Sequence, residues 1–115
     1  METLMFYKNK NEGYQQAIEG VALKTMVRGE KTEFVKFKLE AGHTLPMHAH
    51  EQEQTGYLVS GSIVLTIGDE TFPVEPGDCW CIPSNVQHGA KIIKDSIAVE
   101  VFAPRRQDYL KKSDA

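Results

Sequence analysis

The stretch GHTLPMHAHEQEQTGYLVSG, residues 42–61, carries the pattern from which the fold is read. His48 and His50 are separated by one residue, so on an extended chain their imidazoles fall on the same face. Gln54 keeps that parity and would face the same way on a continuing strand, whereas Glu51 and Glu53 are out of phase. Imidazole nitrogens suit first-row metals such as zinc, iron, nickel and copper. Ligands from this one hairpin need another from elsewhere, and His88 is the obvious donor. His43 sits outside the pattern, cut off from His48 by Pro46, and is expected at the rim or surface.

Outward from this stretch the chain reads as short strands between turn residues. In KTEFVKFKLE, residues 31–40, Val35, Phe37 and Leu39 share one face while Lys36, Lys38 and Glu40 take the other. Ile63, Leu65 and Ile67 alternate with Val64 and Thr66 in the same way. Further β-rich runs are Val21 to Val27, Gly56 to Val59, Thr71 to Val74, Cys79 to Ile82 and Ile97 to Phe102. Turns are expected at Arg28-Gly29-Glu30, Ser60-Gly61, Gly68-Asp69, Pro76-Gly77-Asp78, Pro83-Ser84-Asn85 and Lys94-Asp95-Ser96. Helix is left room only around Tyr14 to Ile18 and in the tail after Pro104. The pattern is all-β, a sandwich or barrel, and 115 residues without repeat or linker suit one domain over 1–115.

The motifs resemble those of the cupins. Gly42, His48, His50, Gln54 and Gly61 follow the order and spacing of the first cupin motif, and Gly77, Pro83 and His88 those of the second. The resemblance implies a double-stranded β-helix, a jelly-roll barrel. It also implies that His48, His50, Gln54 and His88 converge on one divalent metal ion: nickel, zinc, manganese or iron. Gly42, Gly61 and Gly77 would then occupy turns that require positive φ or close backbone approach. Departures from the pattern are Gln54 for glutamate, Asn85 for glycine and Ile92 for asparagine. Asparagine tolerates left-handed geometry, so Asn85 can stand in at a turn.

Composition narrows the partners. A net charge of −3 gives no electrostatic ground for nucleic acid or an anionic membrane. The basic doublets Arg105–Arg106 and Lys111–Lys112 read as a solvated tail. No apolar run reaches the roughly 18 residues of a spanning helix, and the N-terminus does not read as a secretory signal. Cys79 and Cys81, one residue apart on an expected strand, would have Cα atoms about 6.6 Å apart, near the outer limit for a disulfide. Two reduced thiols in the cytoplasm are expected. Trp80 has the opposite phase, and if outward-facing it is a candidate for the interface of the homodimer that single-domain cupins often form.

Three imidazoles and an amide leave a divalent charge uncompensated, which favours a small anionic ligand and Lewis-acid chemistry. Along Ile97 to Phe102, the residues Ala98, Glu100 and Phe102 share a face. If that face is interior, Glu100 is an acid or base beside the metal; if exterior, it is a surface residue paired with a lysine. Residues 100–110, EVFAPRRQDYL, with HAHEQEQTGYLVSG, look like the small cupins of pectin and alginate breakdown that linearise unsaturated uronates. That resemblance implies Glu100 as the acidic catalytic group (aspartate is usual there), Phe102 as a pocket wall and Arg106 as receptor of the substrate carboxylate. An iron-dependent dioxygenase and a non-catalytic binding cupin are the alternatives.

Overall fold

Eight strands form the chain in a computed structural model that describes residues 3–106. They are β1 (Gln15–Ile18), β2 (Val21–Arg28), β3 (Glu33–Leu39), β4 (Thr44–His48), β5 (Glu53–Ile67), β6 (Glu70–Val74), β7 (Cys79–Ile82) and β8 (His88–Ala103). No helix occurs among the described residues. Tyr14 to Ile18, where a helix had room, instead holds β1, because the two-residue turn Glu19-Gly20 folds it back onto β2, with Gln15 opposite Leu23. The expected tail helix lies outside the described residues, apart from its first positions.

The long strands β5 and β8 are the spine. They run antiparallel from Glu53 opposite Ala103 to Ile67 opposite His88. The C-terminal half of β8 also pairs with β3, extending the layer through β2 and β1, while its N-terminal half pairs with β4. Likewise the first half of β5 takes β7 and the second half β6. Each spine strand therefore passes from one layer into the other, giving the double-stranded β-helix.

Two expected turns, at Ser60-Gly61 and Lys94-Asp95-Ser96, are bends inside these strands rather than strand ends. Register slips between Leu58 and Ile63 mark the crossing. Gly61 has φ +96°, and a Cβ there would strike Ser96 Oγ and the Asp95 carbonyl. Ser96 Oγ accepts from the Ser62 amide at 3.0 Å and donates to the Lys94 carbonyl at 2.7 Å, stapling the bend. Asn85 takes φ +65°, as its turn requires.

The alternation read from sequence fills the interior. Val35, Phe37 and Leu39 are buried with Val21, Leu23, Leu58, Ile63, Leu65, Ile92 and Phe102. Complete burial of a side chain such as Leu58 stabilises by about 1.5–3 kcal/mol. One end of this interior is polar, and that end is the site.

Because Gly61 combines a positive φ with no room for a Cβ, Gly61→Ala is expected to lower stability by about 2 kcal/mol or more. Urea denaturation measures this; an unchanged midpoint would mean that the bend accepts a side chain.

Candidate metal centre

The first-motif loop is tied to the turn that precedes β8. The Asn85 amide donates to the His50 carbonyl at 2.8 Å, and Ser84 Oγ donates to the Glu51 carbonyl at 2.5 Å. His48 ends β4, His88 begins β8 opposite it, and His50 follows in the loop. The group is therefore not the product of one hairpin, since β4 pairs with β8 and not with β5. Ring centroids lie 4.2 Å apart for His48 and His88, 4.9 Å for His50 and His88, and 5.7 Å for His48 and His50.

Each ring is fixed by its own neighbourhood. Nδ1 of His48 lies 2.8 Å from the Pro46 carbonyl, Nδ1 of His50 lies 3.0 Å from that of Gln52, and Nδ1 of His88 lies 2.9 Å from that of Val86. A carbonyl only accepts, so Nδ1 of His48 and of His88 carries the proton and the neutral ring presents a lone pair at Nε2. His50 instead faces a carbonyl oxygen from both nitrogens, Gln52 at Nδ1 and Gln54 Oε1 at Nε2. His88 Nε2 is buried without a hydrogen-bonding partner among the described residues. Leaving such an atom bare costs about 1–3 kcal/mol. One ring nitrogen from each histidine lies within 4.8 Å of the others. Nδ1 bound to carbonyls and Nε2 convergent is the arrangement of metal-ligating histidines, and the three could hold a metal ion. His43 stays apart, partly buried, with Nε2 3.7 Å from Glu40 Oε1.

Gln54, the second residue of β5, faces inward beside the group. Its Oε1 stands 3.1 Å from His50 Nε2. With the His50 proton on Nδ1, these are two lone-pair atoms facing each other, which a cation between them would reconcile. The other end of the amide, Nε2, donates to Glu100 Oε1 at 2.5 Å.

Glu100 points inward, together with Ala98 and Phe102, and all three are buried. Its Oε1 also accepts from the Trp80 indole N–H at 2.8 Å. Trp80 thus faces the interior, which removes it as an outward-facing interface residue; Cys79 and Cys81 are the exposed pair, as free thiols. Burial raises the Glu100 pKa above the usual carboxylate range, against the bonds from Gln54 and Trp80 and the charge of Arg106. His48, Gln54, Trp80, His88 and Glu100 form the polar wall of a cavity of about 60 Å³, whose remaining wall includes Leu45, Leu65 and Ala98.

Phe102 and Arg106 adjoin the same group. The Phe102 ring lies 5.9 Å from that of His50, and the Arg106 guanidinium lies 5.5 Å from the Phe102 centroid. Sequence reasoning missed what anchors them. Glu33, fully buried on β3, accepts the Arg106 amide at 3.0 Å and the Thr25 hydroxyl at 2.5 Å. Its parity with Val35 was the available signal. Arg105, expected in a solvated tail, is buried, and its carbonyl accepts from Gln52.

A family model, the Cupin domain, matches residues 35–103. The chain belongs to the cupin family. This cupin is 30% identical to KdgF from Halomonas sp., with a TM-score of 0.84 over 90% of this chain and 96% of that one. An RmlC-like cupin from Shewanella frigidimarina superposes with a TM-score of 0.88 over 95% and 99% of the two chains, at 23% identity. A salicylate 1,2-dioxygenase from Pseudaminobacter salicylatoxidans gives 0.69 at 17% identity, over 76% of this cupin and 27% of that chain. The last two identities bear on the fold alone. An uncharacterized protein of Streptomyces coelicolor is 33% identical over 69 residues, 59% of this cupin and 66% of that relative.

The histidines make a pH prediction. Burial, above all, lowers His88 to about 4 against its bond to the Val86 carbonyl, with the charges of His48, His50 and Arg106 acting in the same direction as burial. His50 is lowered chiefly by burial as well. Between the folded value and the unfolded value of about 6.5, the unfolded chain binds the extra proton, so stability rises with pH. In metal-free protein the stability of wild type minus that of His88→Phe should therefore rise from about pH 4 to about pH 6.5 and then level off. Denaturant titrations across this range measure it; a flat difference would show that His88 titrates normally in the fold.

Proposed function

We propose that this cupin is a metal-dependent, non-redox enzyme that opens the ring of an unsaturated, uronate-like sugar acid by moving a proton from oxygen to carbon. The observation that carries the reading is a buried carboxylate, Glu100, held by two donors beside three convergent imidazoles. The resemblance of residues 100–106 to the uronate-linearising cupins, and the similarity to KdgF along nearly the whole of both chains, support it.

His48, His50 and His88, with Gln54 through Oε1, would hold one divalent ion. Such an ion supplies Lewis-acid polarisation of a carboxylate, carbonyl or hydroxyl oxygen. The substrate approaches beside Arg106, and only its reacting edge enters the cavity of about 60 Å³. Arg106 receives the carboxylate as a fork of two N–H donors, while Phe102 supplies an apolar wall. Glu100, ionised for the first transfer, takes the proton of the anomeric hydroxyl. The bond from the anomeric carbon to the ring oxygen then breaks, leaving an aldehyde and an enolate. Glu100 returns the proton to the enolate carbon, which gives the ketone and restores the carboxylate. Burial suits Glu100 to both halves by bringing its proton affinity closer to that of its partners.

Glu100→Gln is expected to lower turnover of an unsaturated uronate monosaccharide at least a hundredfold while metal content stays at that of wild type. His48→Ala and His88→Ala should lose the metal. Loss of the substrate's ultraviolet absorbance and elemental analysis read the two effects. Retained turnover in Glu100→Gln would remove the proton-transfer role, and turnover that required dioxygen would favour a dioxygenase.

A further inference from the structure

We propose that Trp80 is a positioning residue: its indole N–H, reaching across Gly56, fixes which Glu100 oxygen meets the substrate. The inference rests on the reading of Glu100 as the proton carrier.

Trp80 on β7, Gly56 on β5 and Glu100 on β8 form one row across three adjacent strands. Gly56 faces inward between the other two. A Cβ at Gly56 would collide with the Trp80 indole at Nε1 and at the ring carbons beside it. The missing side chain is the space through which the indole lies down across the strand to reach the carboxylate. A glycine inside a strand weakens it and marks a place where another group approaches closely. Here the approaching group is the donor that holds Glu100.

The two donors share one acceptor. Gln54 Nε2 and Trp80 Nε1 both bond Oε1, so Oε2 has no hydrogen-bonding partner among the described residues. Both oxygens belong to a residue that lines the cavity. A carboxyl group held at one oxygen from two directions cannot rotate without breaking a bond, which leaves Oε2 as the oxygen not engaged by either donor. Gln54 alone fixes one direction. Trp80 removes the remaining freedom, which is the kind of alignment on which proton transfer depends.

The test uses the metal-loaded full chain and the unsaturated uronate monosaccharide. Trp80→Phe keeps the ring and removes the N–H. It is expected to lower kcat between about 10- and 100-fold, with KM within about twofold of wild type and metal content unchanged. Gly56→Ala, which keeps the indole but fills its seat, should give the same split. Trp80 is the one tryptophan in the chain, so its emission in Gly56→Ala should also move to longer wavelength. Wild-type kcat in Trp80→Phe, with Glu100→Gln inactive, overturns the positioning role and leaves the proton carrier in place. A rise in KM or loss of metal in step with kcat overturns it too, as the mark of a wall residue. Full turnover in Glu100→Gln overturns the underlying reading and this inference with it.

Discussion

Three hydrogen bonds from ring N–H groups to backbone carbonyls decide what this molecule can be. Each holds an imidazole by Nδ1 and leaves Nε2 to the side where one ring nitrogen of each histidine lies within 4.8 Å of the others. The carbonyl partners lie two residues from their histidines in every case, so the tautomer is set by local chain geometry and not by distant packing. What distant packing supplies is convergence. The Asn85 amide and the Ser84 hydroxyl bind the carbonyls of His50 and Glu51, joining the two motifs whose histidines must meet. The β4–β8 pairing already sets His48 opposite His88, and the junction brings in the loop that carries His50.

A polar chain leads from this group into the barrel, and its order explains the amide at position 54. Gln54 turns Oε1 toward His50 and donates through Nε2 to Glu100. A glutamate there would face Glu100 with no proton between two carboxylates at 2.5 Å, and one of them would have to stay protonated. An amide donates to Glu100 without a shared proton and keeps its oxygen on the histidine side. Gln54 and Glu100 are therefore chemically matched neighbours. The chain ends on Trp80, an N–H donor with no acceptor capacity, which suits a terminus against a carboxylate.

Much of this was legible in the chain itself. Alternation placed Val35, Phe37, Leu39, Ile63 and Leu65 in the core, because period-two patterning reports directly which face is buried. The motif spacing picked out the three histidines that meet. What stayed illegible depended on geometry that parity does not carry. The strands bend at Gly61 and near Ser96 without ending, so two signals that read as turns mark the crossing between layers. Whether Glu100 faced in or out was open, because either phase of Ile97 to Phe102 puts apolar residues on both faces. Trp80 had a readable phase, yet inward or outward required knowing that Gly56 makes room for it. Glu33 was readable by parity with Val35, but its partner Arg106 is 73 residues away in sequence.

The polar end of the barrel is tolerable energetically because hardly any of its groups are left to themselves. Glu33 and Glu100, both buried, each accept two hydrogen bonds, and satisfied acceptors inside a protein cost far less than bare ones. His88 Nε2, by contrast, is buried with no hydrogen-bonding partner among the described residues. A buried imidazole nitrogen left bare next to two other histidines is a place that a cation could join. The carboxylate one amide away, too buried to ionise easily by itself, gains from the same positive charge. On the proposed reading, metal affinity and the proton affinity of Glu100 are therefore linked: whatever occupies the histidine group also sets how readily Glu100 gives up its proton.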